Sequence, residues 1–322
     1  MEYITPILWL TLDNFFPIRT IITKENDLKR IFIHGEGVFD DAVVNTLSFQ
    51  LKKTSPTRDL LLINENFTST VNKFEWIDEE QLKIDVRVSP TTKKIINKIR
   101  SKSVFLSSFG DVIQGITPYD SYQGQSKEII DSRAYHFNFK NDYSCGKWLD
   151  GKNVSRYSIT WDNKWLSYGD WLAAPREKRF FEGRRILFRE VPGKGKRIQA
   201  SLTDQDYYYG HSISPFKPNI DHLQDLEYIL GIVNSTLISW YGNYSLPNFG
   251  KDIFPKLNPN DINELPIPAD FKKHKELTDW VKKIIENKDN EQNSDSIERE
   301  IDDLVYKIYD ISDDEIKMIE EV

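Results

Sequence analysis

Arg184-Arg185-Ile186-Leu187-Phe188-Arg189-Glu190 decides how the middle of this chain is read. Its four central apolar and basic residues lie between turn signals and predict a short strand. The same texture runs from residue 104 to about 268, where Trp, Tyr and Phe alternate with Gly, Lys and Arg. That pattern predicts a mostly β domain of irregular loops. One helix interrupts it: Leu223, Leu226, Leu230, Val233, Leu237 and Trp240 follow a three-and-four spacing that places them on one face, a stripe that core packing accounts for.

Upstream, Tyr3-Ile4-Thr5-Pro6, the run 28–33 and the run 43–51, which ends in Lys52 and Lys53, predict strands of an α/β sheet. Residues 59–63 predict a further strand. Proline at Pro90 disfavours helix before it and permits one after it, so residues 91–100 form a helix at a boundary. Downstream of Leu265-Pro266-Ile267-Pro268 the chain turns helical and acidic. Leu277, Val281, Ile284 and Ile285 share one helix, and Ile297, Ile301, Leu304, Val305 and Ile308 share a second, with a polar link over 287–294. Ser312 and Glu315 have the spacing of a capping box and predict a last short helix. The fold class is α+β, divided at 1–89, 90–268 and 269–322.

At 322 residues and 39% apolar content, the chain can bury real cores. It has no apolar run of about 18 residues, and Met1-Glu2-Tyr3 does not begin a signal peptide, so a cytoplasmic location is expected, with no membrane partner. A single cysteine, Cys145, excludes an intrachain disulfide. The five histidines, His34, His136, His211, His222 and His274, have no metal-ligand spacing, and no structural metal is expected.

The net charge of −7 speaks against nucleic acid only as a whole-chain sum. Residues 147–197 carry 13 Lys+Arg against 6 Asp+Glu, whereas residues 270–322 carry 9 against 17. The basic segment is suited to anions and the tail is not.

Three groups of residues carry a family resemblance. Residues 36–46, Glu36-Gly37-Val38-Phe39-Asp40-Asp41-Ala42-Val43-Val44-Asn45-Thr46, followed by an apolar strand ending in lysines, resemble the last β-hairpin of the catalytic domain of adenine-N6 DNA methyltransferases from type II and type IIG restriction-modification systems. Gly110-Asp111-Val112-Ile113-Gln114-Gly115-Ile116-Thr117, Lys147-Trp148-Leu149-Asp150-Gly151-Lys152-Asn153-Val154, the Arg184–Glu190 run, Tyr228-Ile229-Leu230-Gly231-Ile232-Val233-Asn234-Ser235 and Leu265-Pro266-Ile267-Pro268 resemble successive landmarks of a TaqI-like C-terminal specificity domain. Ile297-Glu298 through Tyr306 and Tyr309 resembles the helical tail of such enzymes. The order and spacing of these pieces over nearly the whole chain make the match specific.

The resemblance implies that Tyr3–Pro6, 28–33 and 43–51 are the fifth, sixth and seventh strands of a Rossmann-like methyltransferase sheet whose first four strands are absent, so that the chain is expected to be either a truncated gene product or completed by another polypeptide. The glycine-rich loop that binds S-adenosylmethionine and the Asn-Pro-Pro-Tyr motif that holds a flipped adenine are not in this sequence. Asn258-Pro259-Asn260-Asp261 lacks the second proline and the aromatic, and fits a turn. Gly193-Lys194-Gly195 reads as a basic turn and not as a phosphate-binding loop. The chain is therefore expected to bind no cofactor alone, with S-adenosylmethionine serving the completed enzyme. A separate N-terminal methyltransferase half is an expected partner.

Double-stranded DNA is the other expected partner. A methyltransferase acting on a ring amine takes its base out of the stack while a specificity domain grips the duplex. Lys152, Arg156, Arg176, Lys178, Arg179, Arg184, Arg185, Arg189, Lys194, Lys196 and Arg197 form the candidate pool for phosphate and base contacts. Gln114, Thr117 and Tyr119 lie on a Gly/Pro-bounded loop suited to a base edge, with a plain turn as the alternative for each. His211, after Tyr207-Tyr208-Tyr209, is a candidate backbone contact or a structural histidine. Trp148, Trp161, Trp165 and Trp171 could stack on bases, although most of the four are expected in the core. The competing class is an interaction protein that docks on an intact restriction-modification or phage-defence enzyme. An independent methyltransferase and a nuclease fit the sequence less well.

Overall fold

The computed structural model describes residues 1–322 other than 36–37, 40–43, 66, 78–79, 85, 87, 252–253, 272–274 and 322. The chain divides into two compact units, residues 1–94 and 95–322.

The first unit contains β1 (Glu2–Pro6), α1 (Phe16–Thr20), β2 (Asp27–Gly35), β3 (Thr46–Lys52), β4 (Asp59–Ile63), β5 (Thr68–Asn72), α2 (Lys73–Trp76) and the start of α3 (Pro90–Ser101). Its five strands lie in the order β1-β3-β2-β4-β5. The strand β3 runs antiparallel to both β1 and β2, β2 and β4 are parallel, and β4 and β5 form an antiparallel pair. The three strands expected as fifth, sixth and seventh are thus neighbours, but the sheet is mixed and continues through β4 and β5. Most of the expected hairpin at 36–46 lies outside the described residues.

Alternation explains the strands. Leu60 and Leu62 of β4 point inward while Asp59 is exposed, the period of two that a half-buried strand requires. Tyr3 of β1 stacks on Phe49 of β3, which also meets Trp9. A buried ion pair fastens the far side: Lys73 Nζ lies 2.5 Å from Asp27 Oδ1 and donates to the Leu28 carbonyl at 2.7 Å. Thr57, just before β4, donates its N–H to the same carboxylate at 2.9 Å.

The second unit continues through β6 (Val104–Phe105), β7 (Gly110–Val112), α4 (Lys127–Ser132), β8 (His136–Phe137), β9 (Cys145–Leu149), β10 (Val154–Ser155), β11 (Ser158–Ile159) and β12 (Trp165–Ser167). Next come β13 (Arg185–Arg189), β14 (Ala200–Thr203), β15 (Tyr208–Tyr209), β16 (Ile213–Pro218), α5 (Leu226–Asn234), α6 (Thr236–Ser245), α7 (Pro259–Asn263) and β17 (Pro266–Ile267). The tail is α8 (Lys275–Asp289), α9 (Asp295–Ile308) and α10 (Asp313–Glu320). Two four-stranded sheets, β15-β9-β12-β8 and β14-β13-β16-β7, carry the β part. Ile116, Trp148, Leu149, Leu166, Phe181, Leu187, Tyr209 and Ile213 pack into one core around them.

The stripe from Leu223 to Trp240 predicts one helix, and the chain forms two. Ser235 is extended, with ψ 157°, and its side chain accepts the Ile238 N–H to start α6. Asn234, ending α5, exchanges two hydrogen bonds with the Ala200 backbone at 2.9 and 3.0 Å, which locks the break against β14. The tail helices pack onto this pair, α8 on α5 and α9 on α6. Ser312 and Glu315 form the expected capping box of α10. Among the described residues no helix is long and apolar enough to cross a membrane.

Candidate nucleic-acid interface

The site grows from a backbone crossing. Ile116 donates its N–H to the Tyr209 carbonyl at 2.9 Å, and the two chains come so close that a Cβ on Gly115 would stand 2.2 Å from the Gly210 carbonyl oxygen. Only glycine fits there, and the parallel bridge between Ile116 and Gly210 brings Thr117 into register with His211, with Gln114 just before the crossing; the Gln114 and His211 side chains are exposed. Arg176 reaches the same crossing from a third segment, donating from Nε to the Gly115 carbonyl at 3.4 Å, while its own carbonyl accepts the Tyr168 hydroxyl at 2.9 Å. Thr117 is pinned to Ala174 by a pair of backbone hydrogen bonds at 3.0 and 2.8 Å.

Ser212, next to His211, extends the cluster. Its hydroxyl accepts the Gly151 N–H at 3.1 Å and its carbonyl accepts the Glu190 N–H at 2.9 Å. Those bonds bring the turn bearing Lys152 and the end of β13 bearing Arg189 to the same turn, 210–212. Lys152 stays largely exposed beside Asp162 at 3.2 Å. Arg189, Arg176 and Lys194 form no ion pair with any described residue. The five segments that carry Gln114 and Thr117, Lys152, Arg176, Arg189 and His211 are therefore tied together at this crossing and turn. An exposed guanidinium offers paired donors and an exposed carboxamide a donor beside an acceptor, the two patterns that base edges match, and Lys152 suits a phosphate.

Tyr119 does not join them as a free hydroxyl. Its oxygen accepts the Tyr135 N–H at 2.9 Å and shares a hydrogen bond with His136 Nδ1 at 2.8 Å, in which the tautomer of the imidazole decides the donor. Its ring stacks on Tyr135 with 5.4 Å between centroids. The other ring nitrogen, Nε2 of His136, is buried without a hydrogen-bond partner and belongs to a ring set edge-to-face with Trp148. Burial, and then the charge of Arg133, pushes the His136 pKa down to about 4. The Tyr119 hydroxyl is thus engaged within the chain, where it supports the loop.

The basic pool divides in the same way. Arg185 is fully buried, donating to the Tyr209 hydroxyl at 3.0 Å and to the Gly183 carbonyl at 2.6 Å, so the expectation that it faces DNA is corrected: a buried cation must satisfy its donors internally. Arg156, Lys196 and Arg197 are half-buried and the Arg184 side chain is 40% exposed, and all four are engaged as joints to the helices. Arg156 pairs with Glu298 of α9 at 2.7 Å and Arg184 with Glu227 of α5. Arg197 donates to the Asn234 carbonyl at 3.0 Å, its pKa lowered by burial and by Arg156, and Lys196 donates to Asn243 at 3.0 Å. Lys178 and Arg179 are exposed but paired, with Glu182 at 2.9 Å and with Glu177 and Asp111 at 2.8 and 3.0 Å.

Of the four tryptophans, Trp148 is buried, Trp161 and Trp165 are half-buried, and Trp171 is exposed. The expectation of a mostly buried set holds fully for Trp148 alone. Sequence reasoning missed Ser212 and the glycine crossing, and its only available signal was Gly210-His211-Ser212 after the tyrosine run. Asn258-Pro259-Asn260-Asp261 is the capped first turn of α7, with Asn258 and Asp261 bonded to each other's backbone N–H. Those groups are occupied and do not fit the role of holding a flipped adenine.

Residues 146–267 match the family profile of the TaqI-like C-terminal specificity domain. A protein of Methanocaldococcus jannaschii whose name describes a type II restriction enzyme and methyltransferase, RM.MjaORFECS2P, is 26% identical over 96% of this chain. The chain spans 27% of that relative's length. Among solved structures, the type IIL restriction-modification enzyme MmeI in complex with DNA has the same fold over 99% of this chain and 49% of its own, with TM-score 0.51 and 9% identity. The type IIG restriction endonuclease BpuSI superposes over 96% of this chain and 47% of its own, at TM-score 0.40 and 13% identity. The landmarks from Lys147 to Ile267 lie within this match and the Gly110–Thr117 landmark lies outside it; over residues 146–267 this chain carries a TaqI-like C-terminal specificity domain.

Proposed function

We propose that this chain supplies sequence-specific DNA recognition to an adenine-N6 DNA methyltransferase of a restriction-modification or phage-defence system, while residues outside it bind S-adenosylmethionine and carry out methyl transfer. The observation that carries this reading is the turn at 210–212, which gathers Gln114, Arg176, His211, Lys152 and Arg189 on and beside the span that matches a specificity domain. In this reading Lys152 and Lys194 hold phosphates, and Gln114, Arg176 and His211 approach base edges. The bound methyl donor would supply the transferred group, and the residues described here have no role in that step.

Binding to duplex DNA at varied salt tests the proposal. Affinity should fall steeply, with a log–log slope of about −0.9 per phosphate contacted, and selection from a random duplex library should return one short sequence. Weak binding without sequence preference at moderate salt would sink the reading. Titration calorimetry of the chain alone with S-adenosylmethionine is expected to show no binding.

A second reading, docking on a separate protein, is favoured by one observation. Within residues 1–21, Tyr3, Ile4, Leu8, Phe16, Ile18 and Ile21 are all exposed, and among the described residues β1 pairs with a strand on one side only. An open apolar sheet edge is seldom left to solvent. A methyltransferase N-terminal half is the partner this supports, and co-purification with such a partner but no retention on DNA would favour docking as the whole function.

A further inference from the structure

Trp171 is 46% exposed, Tyr122 95% and Tyr143 99%. The three rings sit on three loops that hydrogen bonds tie together. Gln125 Nε2 donates to the Pro118 carbonyl at 3.1 Å and to the Trp171 carbonyl at 3.0 Å, while its Oε1 accepts the Asp120 N–H at 2.9 Å. The Ser144 and Ser167 hydroxyls meet at 2.8 Å, and the Ser167 carbonyl accepts the Trp171 indole N–H at 3.1 Å. The indole's one donor is therefore used, and what it leaves at the surface is a π face.

The ring is also backed. A Cβ built on Gly169 would lie 2.4, 2.5 and 2.6 Å from Cη2, Cζ3 and Cζ2 of Trp171. An edge-on approach would leave the two flanking carbons well behind the first, so Gly169 covers one face of the indole. Solvent reaches the other. An aromatic ring with a satisfied N–H, one covered face and one open face is held ready to stack, with little side-chain entropy left to lose.

We propose that Trp171 is a stacking site for one unpaired nucleobase, with Tyr122 and Tyr143 on the tied loops beside it. The inference rests on the DNA-recognition function. Taking an adenine out of the duplex leaves a base without its partner, and every base presents a π face. The neighbours argue for a base over a phosphate: Asp142 and Asp170 are exposed carboxylates next in sequence to Tyr143 and Trp171, and they repel the backbone.

The test uses the full chain and two duplexes of one sequence, one with 2-aminopurine opposite an abasic site and one with it paired to thymine. The wild-type chain should bind the first more tightly and quench its fluorescence. Trp171→Ala should weaken that binding roughly 5- to 100-fold and leave the paired duplex unaffected. Trp171→Leu, which keeps an apolar side chain and removes the π face, should do the same and serves if the alanine variant does not fold. Folded Trp171 variants that bind and quench both duplexes as the wild type does would overturn the proposal. If the wild-type chain binds neither duplex, DNA recognition itself fails and this inference falls with it.

Discussion

Gly115 lies against Gly210 at a distance that admits no side chain: its Cβ would stand 2.2 Å from a carbonyl oxygen and 2.6 Å from the carbonyl carbon. Both atoms are backbone, so neither can swing aside. Gly115→Ala should therefore separate the 113–118 segment from the 209–211 turn, with a cost on the order of 1–3 kcal/mol from overpacking. Chemical denaturation checks the stability, and duplex binding should weaken even where the variant is folded, because Gln114, Arg176 and His211 all take their positions from this crossing. An alanine variant as stable as the wild type would show that the crossing yields.

Arg176 and Arg185 make opposite predictions although both are arginines of one basic segment. Arg176→Ala removes an exposed cation and should leave the melting temperature nearly unchanged while lowering DNA affinity. Arg185→Ala leaves the Gly183 and Tyr207 carbonyls and the Tyr209 hydroxyl without their donor in the core, at about 1–3 kcal/mol for an unsatisfied buried group. Thermal melts of the two variants beside duplex titrations separate the roles. Equal melting temperatures would refute the division.

That pair also shows what the sequence could and could not disclose. The strands were legible because alternation is local: residues 59–63 are β4, and Arg185-Ile186-Leu187-Phe188 lies within β13. The cap Ser312 with Glu315 was legible for the same reason. Burial of Arg185 was not, since its hydroxyl partner Tyr209 is 24 residues away and its neighbours in sequence resemble surface cations. The break at Ser235 hid inside an unbroken apolar stripe because α5 is buried on every side, so its periodicity carried no phase. Strand order in the first unit is a property of long-range pairing, and the mixed sheet with β4 and β5 beyond β2 had no local signature.

His136 should make stability depend on pH. Its folded pKa of about 4 lies below the 6.5 of a free histidine, so the unfolded chain takes up the proton first as pH falls. Its contribution to stability is fully present above pH 6.5 and is lost as pH drops from there toward 4, with a slope of at most about 1.4 kcal/mol per unit. Unfolding free energies measured by denaturant at several pH values should flatten over that range in His136→Gln, which cannot titrate. An unchanged slope in the variant would assign the pH dependence to other groups.

Arg156 and Glu298 join the β part of the second unit to its acidic tail, 2.7 Å apart and with side chains 14% and 21% exposed. Lys288 of α8 lies 3.4 Å from the same carboxylate, and Asp302, one turn along α9, accepts the Thr236 N–H at 2.7 Å. The tail's negative charge is thus used internally at this face, against cations that otherwise look like DNA ligands. Breaking a pair this enclosed leaves a poorly solvated charge behind, so Arg156→Ala and Glu298→Ala should each cost more than an exposed pair, on the order of 1–3 kcal/mol. The double variant should cost less than the sum, giving a coupling of about 1–2 kcal/mol in a double-mutant cycle. DNA affinity supplies the second readout. Arg156→Ala should leave both affinity and salt slope as they are in the folded protein, whereas a phosphate ligand removed from the interface would lower the slope by about one contact. A flat cycle together with a reduced slope would return Arg156 to the DNA-facing set.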